Sequence, residues 1–238
     1  MTTIAGRLRA KLVPYRAHIT SRTDLTEALV EISCTSPATF DAGQVLALRV
    51  DGNGPGPTGT WRRYTIAEAT GHEFRLIIQR NPDGAAAPLM NTITTADTLT
   101  IRGPASPVLP SAGDGLLLIA SDLTGLATIA ALTHRTCSDD STRRVAIAVF
   151  SRDADIDPSV IARVVGTTAQ HVTVHARHEH IEAWIRSHRR DDDDDLRLLG
   201  VGEHGLTRTA RRAAVASAIA PGRVRTHTYW KPGRRGLE

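Results

Sequence analysis

The sequence predicts two joined architectures, a six-stranded antiparallel β-barrel and, after it, an α/β domain with a parallel sheet. Three observations lead there. The first hundred residues hold short runs with β-branched or alternating apolar character, punctuated by Gly and Pro. Residues 103–110 read Gly-Pro-Ala-Ser-Pro-Val-Leu-Pro, and prolines at that density break helices and force extended backbone. Beyond them, continuous apolar strands alternate with helical spacing, the pattern of a parallel sheet covered on both faces. A chain of 238 residues suits two domains of roughly 100–150 residues, placed at 1–107 and 108–238.

In the first half the strand candidates are residues 15–21, 29–34, 44–50, 61–67, 72–79 and 98–102. Gly and Pro are densest at 51–57. Six short strands with no long helix make a small antiparallel barrel. One short helix is expected at 85–90, directly after Asp83-Gly84. Small residues there let backbone N–H groups approach a ligand, and a helix N-terminus favours phosphate; a plain surface turn is the competing reading. In the second half strands fall at 116–120, 145–150, 171–175, 196–201 and 225–230. Helices fall at 124–134, 157–165, 179–188 and 206–220, with Pro158 near a helix start. No internal repeat stands out.

Composition narrows the function classes. Apolar residues make up 41% of the chain, enough for proper cores, and no apolar run approaches the roughly 20 residues of a membrane span. Arg7, Arg9 and Lys11 are followed by no cleavable apolar segment, so neither secretion nor a membrane partner is expected. Cys34 and Cys137 are far apart and offer neither metal spacing nor a disulfide framework, which fits a reducing cytoplasm. Net charge is +4, and the only lysines are Lys11 and Lys231. From Leu206 onward the one acid is Glu238, among many arginines; nucleic acid or a small anionic ligand could meet that surface.

The chemistry concentrates at Trp61-Arg62-Arg63-Tyr64-Thr65. Residues i and i+2 of a strand share a face, so Arg62 and Tyr64 project together, suited to a ligand with a phosphate at one end and a planar ring at the other. The chain has three each of Trp, Tyr and Phe. With rings so scarce, the pairs Trp61/Tyr64 and Tyr229/Trp230 suggest flat-ligand sites, ordinary cross-strand packing being the alternative. Ser121-Asp122-Leu123-Thr124-Gly125 occupies the first strand-to-helix turn of the second half. Ligands of open parallel sheets bind outside the carboxyl ends of strands. The turn lacks a Gly-x-Gly-x-x-Gly fingerprint, and Asp122 or Thr124 could simply cap the helix. Gly202-Glu203-His204-Gly205 reaches the same edge. The aspartates at 191–195 read as a solvated loop. His175, His178 and His180 match no zinc spacing and read as surface groups, so no metal site is expected. No nucleophile elbow, P-loop or His-Glu-x-x-His motif is present.

Taken in order, these segments resemble the siderophore-interacting proteins, a branch of the ferredoxin-reductase-like flavoproteins. Arg62-Arg63-Tyr64-Thr65 is similar to the family's Arg-x-Tyr-(Thr/Ser) flavin motif. Residues 84–88 fall at its small-residue phosphate loop, with Ala-Ala-Ala for the usual Pro-Ala-Ser. Residues 121–129 resemble its Gly-Asp-Glu-Thr-Ala-Leu-Pro-Ala-Ile segment. Gly202-Glu203 matches its Gly-Glu, and residues 229–234 resemble its terminal Tyr-Trp-Arg-Arg-Gly-Arg. The departures are Gln79 for a histidine, Ser121 for glycine, Gly125 for alanine and Thr128 for proline.

The resemblance implies an FAD-dependent oxidoreductase of the ferric-siderophore reductase type. The donor would be NAD(P)H or ferredoxin, and the acceptor a ferric siderophore or other small molecule. Arg62 would pair with flavin phosphate, and Gly84, Ala85, Ala86 and Ala87 would hold the pyrophosphate. Tyr64 would stack on the ring system and Thr65 would hydrogen-bond near N5, making these two the catalytic candidates. Tyr229 and Trp230 would border the ring, while Ser121, Asp122, Thr124 and Glu203 would take the nicotinamide nucleotide. Lys231, Arg234 and Arg235 would face an anionic iron complex. A cytoplasmic monomer without a nucleic-acid partner is expected. The rivals are a flavin enzyme acting on an organic acceptor in biosynthesis, and a basic nucleic-acid-binding protein.

Overall fold

A computed structural model describes residues 14–51, 59–81, 83–105, 115–138, 144–151, 156–167, 169–189 and 195–233. The chain divides into two compact units, Met1–Val108 and Leu109–Glu238.

In the first unit, β1 (Tyr15–Thr26), β2 (Leu29–Thr35), β3 (Val45–Arg49), β4 (Trp61–Thr70), β5 (Glu73–Gln79) and β6 (Thr98–Ala105) close a barrel in the order β1-β2-β5-β4-β3-β6. All its pairs are antiparallel. Period-2 alternation fills the interior: Leu46 and Leu48 of β3, Ile32 of β2 and Ile101 of β6 are fully buried.

Three strands outrun the apolar pattern, β4 by residues 68–70 and β1 and β6 as well. β1 continues past residue 21 because its ladder with β2 runs on to Thr26 through two register shifts, carried by polar residues that a hydrophobic pattern does not show. β6 continues through Gly103-Pro104 to Ala105, and a register shift against β3 there accommodates the residue without an N–H. The short helix α1 (Ala87–Thr92) starts two residues later than expected, with Pro88 in its first turn. Arg22 and Arg80 share Asp24, each at 3.0 Å, and Arg80 also donates to the Thr26 carbonyl at 2.8 Å. This network ties the chain leading into α1 to the β1–β2 hairpin.

In the second unit, β7 (Leu116–Ser121), β8 (Arg144–Phe150), β9 (Val172–His175), β10 (Arg197–Glu203) and β11 (Val224–Trp230) form a parallel sheet in the order β11-β10-β7-β8-β9. Every residue of β7 is buried, which is why it reads as one apolar run. Leu118, Ala148 and Leu198 pack in one cluster with Ile181, Trp184 and Leu206, while the alternate residues Leu117, Ile119 and Ile147 are buried too. Both faces are therefore covered.

The helices are α2 (Leu126–Ser138), α3 (Pro158–Val165), α4 (Ile181–His188) and α5 (His204–Ala216). Asp157 caps α3 through Ser159 N at 2.8 Å. A single-turn segment, Leu123–Gly125, leads into α2. No helix of the described residues is long and apolar enough to cross a membrane.

Candidate functional site

In the first unit the candidate residues lie on β4 where it pairs with β3. The register sets Tyr64 opposite Leu46 and Arg62 opposite Leu48, so Arg62 and Tyr64 do share one face, and Tyr64 packs against the barrel core. Burial raises the Tyr64 phenol to about 12, with the Arg62 charge pulling the other way. Tyr64 therefore stays neutral around pH 7 and offers a ring and a hydroxyl, not a proton-transfer group.

Arg62 donates to the Trp61 carbonyl at 2.9 Å and pairs with no carboxylate among the described residues. Trp61, Arg63 and Thr65 lie on the opposite face. The structure thus separates Trp61 from Tyr64, and the Arg102 guanidinium lies over the Trp61 ring at 3.9 Å, a cation–π contact. Thr65 is buried at 8% exposure and does not share the face of Arg62 and Tyr64.

The small-residue loop follows β5. Gly84 N–H donates to the Asn81 carbonyl at 2.8 Å and Ala87 N–H to the Gly84 carbonyl at 3.0 Å. A Cβ at Gly84 would stand 3.0 Å from the Asn81 carbonyl, so glycine is set there by a tight turn. The N–H groups of Ala85 and Ala86 find no acceptor among the described residues. With six residues, α1 adds little dipole of its own; the donors of this loop are individual peptide groups.

In the second unit the candidate residues lie at the carboxyl edge of the parallel sheet. Asp122 follows β7 and is buried at 8% exposure. Its Oδ1 accepts from Thr124 N–H at 2.8 Å and from the Thr124 hydroxyl. Its Oδ2 accepts from Glu203 N–H at 2.8 Å and Trp230 Nε1–H at 2.9 Å. Desolvation raises the carboxyl pKa and outweighs the hydrogen bonds, which lower it. Asp122 is thus the cap of the turn into α2 and an internal brace, with its acceptor sites filled from within the unit. Glu203 caps α5, its carboxylate accepting from Gly205 N–H at 2.7 Å and Leu206 N–H at 3.3 Å.

Ser121 is fully buried and donates to the Asp122 carbonyl at 2.7 Å. A Cβ at Gly125 would overlap the Ser121 Oγ and stand 2.6 Å from Val201 Cγ2. The serine and the glycine are therefore one exchange of volume: the space a side chain at 125 would fill is taken from 121. Thr128, also fully buried, shares a hydrogen bond of 2.6 Å with the Tyr229 hydroxyl. Of the four residues expected to take a nucleotide, Ser121 and Asp122 sit behind the edge, and Thr124 and Glu203 are half-buried on it.

Sequence reading missed Thr128 as the partner of Tyr229, and Gly202 as the gap beside Asp122. The positive φ of Gly202 (+123°) and its contact with the carboxylate leave no trace beyond a glycine. Lys231 follows β11 directly; Arg234, Arg235 and residues 191–194 lie outside the described residues.

Asp195 pairs with Arg197 at 3.1 Å. His175 stacks on Phe150 at 5.1 Å with His180 at its edge, and no group of metal-ligating side chains gathers among the described residues. A cleft of about 280 Å³ lined by Arg144, Val145, His171 and His188 opens at the amino ends of β7 and β8. That is the opposite end of the strands from the edge where parallel sheets bind ligands.

No protein-family model matches the chain, and no curated protein matches it significantly. Solved structures do. The siderophore-interacting protein from Acinetobacter baumannii superposes with a TM-score of 0.72 at 15% identity, over 93% of this chain and 92% of that one. The chain has the fold of the siderophore-interacting proteins. The siderophore-interacting protein SipS from Aeromonas hydrophila gives 0.70 at 20% identity over the same shares of the two chains, 93% and 92%. The FAD/NAD-binding domain of a nitric oxide dioxygenase from Vibrio cholerae gives 0.71 at 14% identity, over 92% of this chain and 99% of that one. The expected fold class, a six-stranded antiparallel barrel followed by a ferredoxin-reductase-like α/β domain, is the one observed.

Proposed function

We propose that this protein is an FAD-dependent oxidoreductase that passes electrons from a reduced pyridine nucleotide, or from a ferredoxin, to a ferric chelate such as a siderophore. The observation that carries the reading is the barrel face of β4. A guanidinium without a carboxylate partner among the described residues, Arg62, stands beside the half-buried ring of Tyr64, in a fold shared with a domain named for binding FAD and NAD.

The residues fit the cofactor. Arg62 and the open N–H groups of Ala85 and Ala86 are donors suited to phosphate oxygens, Tyr64 supplies a flat neutral surface, and Thr65 a hydroxyl. When bound, a flavin supplies chemistry that no side chain offers, accepting a hydride and returning electrons singly. Tyr229 and Trp230 present rings at the carboxyl edge of the sheet, with Thr124 and Glu203 facing the nucleotide and Ser121 and Asp122 shaping the turn beneath it. Lys231, with Arg234 and Arg235, attracts an anionic iron complex. Reduction releases the metal because the lower charge of Fe(II) weakens its bonds to hard oxygen donors.

The test is reduction of a ferric tris-catecholate complex by the full-length protein with a chromogenic Fe(II) trap. Lys231→Glu with Arg234→Glu is expected to raise KM several-fold with FAD content intact. The effect should shrink at high salt, because exposed charges are screened over about 8–10 Å at physiological ionic strength. Unchanged kinetics in the double variant would move the acceptor away from the C-terminus, and no Fe(II) with either donor would remove ferric reduction altogether.

A further inference from the structure

The carboxyl edge of the parallel sheet carries a contact that spans a whole strand. Asp122 follows β7, Trp230 ends β11, and β10 runs between them. Neighbouring strands lie about 4.8 Å apart, so these two elements stand about 10 Å apart, and yet the Trp230 indole N–H reaches Asp122 Oδ2 at 2.9 Å.

Two local features make room for this bridge. Gly202, on the intervening strand, has φ +123°, and a Cβ there would lie 2.5 Å from Asp122 Cγ; the missing side chain is the space through which the carboxylate reaches. The register of β11 against β10 steps from Gly202↔Thr228 to Glu203↔Trp230, so Tyr229 is an extra residue and Trp230 is set opposite the residue whose own N–H binds the same oxygen. The second ring is tied as well, Tyr229 to Thr128 at 2.6 Å. Trp230 is half-buried, with its one polar atom pointing inward.

We propose that Asp122 is a positioning residue. By holding the indole N–H of Trp230 it fixes an aromatic wall at the carboxyl edge, against which the planar ring of a bound ligand packs. The identity of that ring as part of the pyridine nucleotide rests on the function proposed above; the lock itself does not. Asp122 acts on the ligand only through Trp230, since its own carboxylate is buried and occupied by four donors.

The experiment uses the full-length protein labelled with 15N, in which three indole N–H signals are expected from Trp61, Trp184 and Trp230, with Trp230→Phe identifying the third. In the wild type the Trp230 signal should exchange with solvent slowly; an indole exchanging as fast as a free one overturns the lock without any further variant. Asp122→Asn presents one acceptor and one donor group and cannot serve both Thr124 and the Glu203–Trp230 pair. Exchange of the Trp230 indole should then speed up at least about tenfold, with the Trp61 and Trp184 signals in place.

NADP+ affinity, measured by titrating the full-length protein, should weaken about tenfold in Asp122→Asn, to a similar extent in Trp230→Phe, and no further in the double variant. Additive losses in the double variant, or an unchanged indole in Asp122→Asn, would overturn the proposal. If the wild type binds no NADP+, the nucleotide reading fails while the exchange measurements still decide the lock.

Discussion

The hydroxyls of Tyr229 and Thr128 lie 2.6 Å apart and share a hydrogen bond, joining the end of the edge strand β11 to the first turn of α2. Thr128 stands where the resembling family pattern has proline, and proline has no hydroxyl to offer. The departure is therefore tied to the ring it holds. Replacing Thr128 by Val should lower stability in urea by about 1–2 kcal/mol. Tyr229→Phe should do the same, and the two together should cost little more than either alone. Fully additive losses would show that the two hydroxyls act separately.

Ser121 and Gly125 make a second linked pair. A lone Gly125→Ala puts a methyl group against the Ser121 Oγ and Val201 Cγ2, and overpacking of this kind costs about 1–3 kcal/mol. Ser121→Gly in the same chain should recover part of that loss, because it vacates the volume the methyl group needs. Urea midpoints of the single and double variants check this; a Gly125→Ala protein as stable as the wild type would contradict the tight contact.

These two pairs show what the sequence conveys and what it hides. The barrel and the parallel sheet were legible because each strand announces its burial, Leu46 and Leu48 by alternation and residues 116–121 by continuous apolar character. The pairing of Arg62 with Tyr64 on one face followed from strand geometry. The direction in which Asp122 points was not legible. Its partners Glu203 and Trp230 are 81 and 108 residues away, and Trp230 is set beside Glu203 by an irregular register. Trp61 sits three residues from Tyr64 and so on the other face; it meets Arg102 of β6 across the intervening β3, a contact that proximity along the chain does not reveal.

Direct oxidation of NADH or NADPH is expected to be slow, with little preference between them. Ser121 and Asp122 lie behind the carboxyl edge, and the backbone donors at the start of α5 are already taken by Glu203. Anaerobic stopped-flow reduction of the flavin checks this. Rapid, saturable reduction at micromolar nucleotide would contradict it, whereas reduction by ferredoxin alone would keep the fold reading and change the donor.

Stability should fall on mild acidification. His175 has a pKa held below its ordinary value, first by burial against Phe150 and then by the charges of His180 and His188. Below the unfolded value of about 6.5 the unfolded chain takes up a proton that the native ring resists. Stability is therefore lost as pH drops from about 6.5 through the native pKa, and the loss levels off below it. His175→Gln should flatten this slope in urea titrations between about pH 7 and pH 5; a variant with the wild-type slope would assign the effect elsewhere.

The central claim is that the barrel holds FAD through Arg62 and the face it shares with Tyr64. The most direct measurement is the visible spectrum of the purified protein, with chromatography of what it releases on denaturation. The account predicts a yellow protein that releases FAD and not FMN, and an Arg62→Ala variant that binds FAD about tenfold or more weakly after losing one charge-assisted contact. A colourless protein that takes up no added FAD would contradict it.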